Sequence, residues 1–130
     1  MYNLKVSKNQ AKVISEAVEL YTRLHIGQID QLDSFFLDRT HTLVDPAALD
    51  ILRKAYQTIK TRLFPELVKN SYHSIRSYVV PEKAKIAYDI VQVINHKLSL
   101  DSYPNGNYSV YSQDPIQCSK EELSKIEGGK

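Results

Sequence analysis

The chain has 130 residues, 42% hydrophobic and 25% charged, with 17 Lys and Arg against 15 Asp and Glu. That composition predicts one globular domain spanning 1–130 rather than a disordered chain, and a net charge of +2 is too small for the broad basic field of a nucleic-acid binder. Cys118 is the only cysteine, which excludes an intrachain disulfide, and no apolar run reaches the ~20 residues of a membrane span, so a cytoplasmic protein is expected.

In chain order, "YNLKV" (2–6) alternates Tyr2, Leu4 and Val6 with polar residues, the period of a half-buried strand. Ser7 and Gln10 have capping-box spacing, and Val13, Ile14, Ala17, Val18, Tyr21 and Leu24 then recur at helical spacing, predicting a helix over 8–25. Gly27 kinks or ends it, and Ile29, Leu32, Phe35 and Phe36 restart a second helical stretch. "DRTHTLVD" reads as a loop. Asp45 as N-cap and Pro46 at the first helical position predict a long helix over 46–64, with Leu49, Leu52, Tyr56, Ile59 and Leu63 on one face.

"ELVKNSYHSIRSYVV" is open between a short helix and a strand at "SIRSYVV". Pro81 starts a last long helix, with Ile86, Ile90, Val93, Ile94 and Leu98 inward. Tyr103-Pro104-Asn105-Gly106 fits a type I turn, and "NYSVY" follows as a second strand that could pair with "YNLKV". In that strand Tyr108 and Val110 share a packed face while Tyr111 turns toward a ligand. The expected fold class is therefore α+β, helix-dominated, with a small antiparallel sheet formed by the terminal segments.

Catalytic signatures are absent: His25, His41, His73 and His96 sit in separate segments, with no P-loop, nucleophile elbow or zinc-protease pair. Asp33, Asp38, His41 and Asp45 lack a ligand spacing and read as loop charges and an N-cap, so no metal or other cofactor is expected. Asp89, Gln92 and His96 lie on one face of the last helix at offsets of three and four, either as a binding stripe or as the polar side of an amphipathic helix. Arg23 offers a bidentate fork for phosphate beside Gln28, or a surface ion pair. Nine tyrosines supply stacking faces with hydrogen-bonding tips. Tyr21, Tyr56 and Tyr88 read as core, whereas Tyr103, Tyr108 and Tyr111, beside Asn105 and Asn107, are placed for a ligand.

Two stretches, "SKNQAKVISEAVELYTRLHIGQ" and "AYDIVQVINHKLSLDSYPNGNYSVYSQDP", resemble a group of small tailed-bacteriophage accessory proteins with a Tyr-x-Arg…Gly-Gln helix and a late Asp…Gln…His helix. Members of that group often carry a tryptophan shortly after the late histidine, where this chain has Leu100. The resemblance implies an accessory protein of the infected host's cytoplasm and no enzyme activity. Together with the residues above it favours a non-enzymatic counter-defence protein, acting as a homo-oligomer, that sequesters a nucleotide-derived immune signal through Arg23, Gln28, Asp89, Gln92, His96, Tyr103, Asn105, Asn107 and Tyr111. The alternative is an interaction module that inhibits a host protein through a tyrosine-rich surface; a nucleotide or phosphodiester hydrolase stands behind both.

Overall fold

Ser7 opens the first helix as its spacing with Gln10 predicts: Gln10 N donates to Ser7 Oγ at 3.1 Å, and Ser7 N donates to Gln10 Oε1 at 2.8 Å. The computed structural model describes residues 1–36 and 45–129, and helix α1 runs over Lys8–His25. It ends in a Schellman arrangement, with Gln28 N donating to Arg23 O at 3.0 Å and Gly27 N to Leu24 O at 3.2 Å. Gly27 sits at φ 97°, which a side chain would strain. Helix α2 spans Gln31–Phe35. Asp45 caps helix α3, Pro46–Leu63, by accepting from Ala47 N at 3.0 Å, and helix α4 covers Glu82–Ser102. The loop predicted over 38–45 lies, up to residue 44, outside the described residues, as do the metal candidates Asp38 and His41.

The dominant pairing is α1 against α4. Small side chains make it possible: Ala11, Ser15 and Thr22 on α1, and Ala84, Ala87 and Val91 on α4, are buried. Ser15 Oγ donates to Asn95 Oδ1 at 2.5 Å, so the one polar group in the middle of this seam is satisfied across it. The inward face of α4 is therefore set by Ala84, Ala87 and Val91; of the residues expected inward only Val93 is buried, and Ile86, Ile90, Ile94 and Leu98 are half-buried. Tyr56 and Tyr88 are half-buried, while Tyr21 is exposed against the His25 ring, 4.6 Å between centroids.

The segment 64–80 is neither helix nor strand but a chain of turns. It is pinned at its middle by His73 N donating to Ile26 O at 2.9 Å, and at its start by Lys60. Lys60 is only 7% exposed because its Nζ donates to Lys69 O at 2.8 Å and Ser71 O at 2.6 Å, which gives a buried ammonium the acceptors it requires. Val80, Ile26 and Ala84 form the buried cluster beneath it, with Ile75 packed against them.

The expected α+β class is corrected to all-α: no strand or sheet occurs among the described residues. Residues 2–6 lie exposed without a partner. Residues 107–111 do not extend, because local side chains capture the backbone groups a ladder would need. Asn107 Oδ1 accepts from Ser109 N at 2.9 Å and Ser109 Oγ from Tyr111 N at 3.2 Å, turning Val110–Ser112 into a single 3₁₀ turn. A lone pair of five-residue strands has too little buried face to overcome that competition. Among the described residues no helix is long and apolar enough to cross a membrane.

Gly27 and Gly106 separate two costs. A Cβ on Gly27 would meet Leu67 Cδ1 at 2.5 Å at φ 97°, whereas one on Gly106, at φ 82°, would meet only Ser112 Cβ at 4.0 Å. Gly27→Ala should lower unfolding free energy by about 2 kcal/mol or more and Gly106→Ala by about 1 kcal/mol. Urea melts of the two variants check this, and equal losses would contradict the packing at Gly27.

Candidate functional site

Helix α4 is buried on two sides. At 100° per residue, Ala84, Ala87, Val91 and Asn95 make the side facing α1, and Glu82, Asp89, Gln92 and His96 fall together on average about 140° around the helix. The second side is covered by the chain's own C-terminal segment, which runs antiparallel to the helix. Each polar residue of the stripe holds one point along it. Lys120 N donates to Glu82 Oε1. Asp89, 3% exposed, accepts from Cys118 N at 2.8 Å, Ser119 N at 2.9 Å and Ser119 Oγ at 2.6 Å. Gln92 clamps Ile116 in both directions, Nε2 donating to Ile116 O at 2.9 Å and Oε1 accepting from Ile116 N at 3.1 Å. His96 Nδ1 lies 2.7 Å from Tyr111 O, which makes that nitrogen the protonated donor, and Nε2 lies 3.6 Å from Asp114 Oδ1.

The predicted stripe Asp89, Gln92 and His96 is thus a single side-chain array, as its spacing requires, and its occupant is residues 111–120 of the same chain. Glu82, seven residues before Asp89, extends the array and was missed. The signal was the offset of seven, which keeps a residue on one helical face. Ser119, whose side chain Asp89 binds, carries no signal in the sequence.

Arg23 and Gln28 do meet, Nη1 donating to Gln28 Oε1 at 2.9 Å, but the same guanidinium is paired with Glu19 at 3.0 Å. It borders an open groove of about 360 Å³ that also involves Glu16, Glu19, Gln31, Ser34 and Phe35. Two carboxylates beside one guanidinium leave little positive potential for a phosphate. Asp33 pairs with Arg53 at 3.6 Å and Asp45 caps α3, so neither is presented toward a shared ligand.

The tyrosine segment meets the α4 stripe only at its end, through Tyr111 O and His96. Gly106 N donates to Tyr103 O at 2.8 Å, completing the expected turn. Tyr103, Asn105 and Asn107 are exposed around it. The sequence places Tyr108 with the packed face and Tyr111 outward; the observed order is the reverse, with Tyr108 fully exposed and Tyr111 half-buried under the His96 contact. Neither ring is brought near Arg23 by any hydrogen bond or ring contact among the described residues.

Cys118 reports on the strap that residues 111–120 form along α4. Burial first, and then the Asp89 carboxylate, push its thiol above the usual range, opposed by the positive charge of Arg76. A protonated thiol held against the helix is a slow nucleophile.

No family model, curated protein or solved structure matches this chain.

Removing the Asp89 carboxylate strands three donors at once. Asp89→Ala should cost about 2–4 kcal/mol in urea unfolding and Gln92→Ala about 1–2 kcal/mol, since hydrogen bonds to a charged group contribute more. Alkylation of Cys118 by iodoacetamide should speed up in Asp89→Ala at the same pH. An unchanged alkylation rate would show that Asp89 does not hold the strap.

Proposed function

We propose that the protein is a binding module whose partner is another protein, docked on an exposed ridge of α3. The observation that carries this reading is the row Ile51, Ala55, Ile59 and Leu63. It follows one i, i+4 ridge that winds from the outer side of the helix at Ile51 to the uncovered end of the inward face at Leu63, with Ile51 69%, Ile59 43% and Leu63 65% exposed. The inward row is instead Leu49, Leu52, Tyr56 and Lys60, half-buried or buried. Of the five residues expected on one face, Leu49, Leu52 and Tyr56 are half-buried against the body, while Ile59 and Leu63 are exposed.

An 18-residue helix that pairs closely with no other described helix draws little stability from its own propensity, so an exposed apolar ridge on it favours a covering surface. The accessible surface of the chain, 9760 Å², exceeds the roughly 7000 Å² expected of a compact monomer of this mass. Arg62 and Thr58 flank the C-terminal half of the ridge and Lys54, paired with Asp50 at 2.8 Å, its start, which suits a partner groove with a polar rim. The resemblance to bacteriophage accessory proteins makes a host protein of the cytoplasm the partner class, and inhibition by occupancy the mode of action. The sequestration of a nucleotide signal receives less support, because the stripe proposed for it is filled by the strap and Arg23 is engaged by Glu19.

Ile59→Asp places a charge on the ridge without touching the core. The bait and its variant are compared against host extract, and the protein retained is purified and titrated. We expect at least about a tenfold loss of affinity in Ile59→Asp with an unchanged melting temperature. Equal affinity, binding of the ridge to anionic vesicles in place of a protein, or release of an intact nucleotide from the heated wild-type protein would each overturn the reading.

A further inference from the structure

We infer that the turns joining α3 to α4 form a site for single-stranded nucleic acid, in which exposed tyrosines stack on unpaired bases while neighbouring cations meet the phosphates. This goes beyond the proposed role of α3 and does not rest on it.

The net charge of +2 conceals a segregation. Residues 60–85 hold Lys60, Arg62, Lys69, Arg76, Lys83 and Lys85 against Glu66 and Glu82, a net of +4, so the remaining residues sum to −2. A broad basic field is absent, and the positive charge is local. Both carboxylates of this stretch are already engaged, Glu66 with His73 at 2.8 Å and Glu82 with Lys120 N. None of the six cations joins an ion pair among the described residues. The Lys60 ammonium donates to the carbonyl oxygens of Lys69 and Ser71, which hold it without cancelling its charge. A charge buried beneath the turns is screened less than one in water, so it adds to the field of the exposed Lys69.

Exposure alternates along the segment. Ser71, His73, Ile75 and Ser77 are half-buried, and Tyr72, Ser74, Arg76 and Tyr78 are exposed. Two contacts fix that order: His73 N donates to Ile26 O at 2.9 Å, and Ile75 packs on the cluster of Ile26, Val80 and Ala84. The outward set is therefore two rings, a guanidinium and a hydroxyl, held from behind by the core. Tyr78 is 95% exposed and Tyr72 56%, and neither ring meets another ring among the described residues. The positive charges of Arg76 and Lys85 both act on the Cys118 thiol, which puts these two cations on one side of the molecule.

The arrangement of rings and charges selects the ligand. A protein interface is built around a contiguous desolvated centre, whereas here Tyr72 stands between Ser71 and His73, and Tyr78 follows Ser77, with Arg76 between the two rings. A single open ring matches the face of one base, and a nearby cation matches the phosphate that joins it to the next. A duplex hides those faces inside its stack, so the unpaired strand is the form recognised. Stacking on a ring carries no sequence code, and binding is general to single strands.

Fluorescence anisotropy of labelled oligothymidylate and oligouridylate, each about 15 nucleotides long, tests this on the intact protein. The wild type should bind at about 10 µM in low salt, with a log–log salt slope of about −2 if three cations meet phosphates. Tyr78→Ala should weaken binding about tenfold and Tyr78→Phe should keep it, with both variants melting as the wild type does, and Arg76→Gln should make the salt slope shallower by about 0.7. Ile59→Asp should bind the oligomers as the wild type does, which separates this site from docking on α3. The oligomer bound more tightly identifies the source as DNA or RNA. Four outcomes would each overturn the inference: no binding of either oligomer; a duplex of the same length bound as tightly as the single strand; equal affinity of the wild type and Tyr78→Ala; or a polyglutamate peptide of equal charge that displaces the oligomer as well as unlabelled oligothymidylate does, the mark of a surface for an acidic protein.

Discussion

The Asp89 carboxylate is the contact on which the two halves of the structure depend. A carboxylate 3% exposed on a helix would be untenable without donors, and the donors it finds are two backbone amides and a hydroxyl from residues 29 and 30 positions later. The dependence is mutual. Those amides belong to an irregular segment with no ladder or helix of its own, and Asp89, with Gln92, Glu82 and His96 on either side, is what satisfies it. On the other side of α4 the same helix presents alanines and Val91 to α1, so a single element carries an apolar seam and a polar one about 140° apart.

Buried polar side chains accompany the apolar core in this arrangement. Asp89, Lys60, Ser15 and Thr22 are buried with partners, while Ile51, Leu63, Tyr108 and Val110 face solvent. Hydrogen-bonded polar groups position the irregular segments around the apolar core. A ligand site built on the α4 stripe would have to displace a segment that makes several charge-assisted and amide contacts at once. An association surface on α3 needs nothing displaced, because Lys60 and the Arg53–Asp33 pair fix the helix from its inward side.

The helices were legible in the sequence where a local rule decides them. Ser7 with Gln10, Asp45 with Pro46, and Gly27 each fix a helix end through contacts within five residues, and each is realised as its spacing predicts. The sheet was not, because alternation specifies a face and says nothing about a partner; at residues 107–111 the decisive competitors, Asn107 and Ser109, lie inside the strand pattern itself. The face of α3 was half legible: Leu49, Leu52, Tyr56, Ile59 and Leu63 do share one face, but the turns of 64–80 engage the helix on the Lys60 side and leave Ile59 and Leu63 exposed. The grouping of Asp89, Gln92 and His96 was legible from helical offsets. Their occupant was not, because no periodicity relates position 89 to position 119.

The central claim is that the α4 stripe binds the chain's own C-terminal segment through its backbone. Amide hydrogen exchange by NMR tests it residue by residue. The account predicts protection at Ile116, Cys118, Ser119 and Lys120 that is lost together in Asp89→Asn, with Tyr108 exchanging freely in both proteins. Amides of Ile116, Cys118 and Ser119 that exchange in the wild type as fast as that of Tyr108 would contradict it.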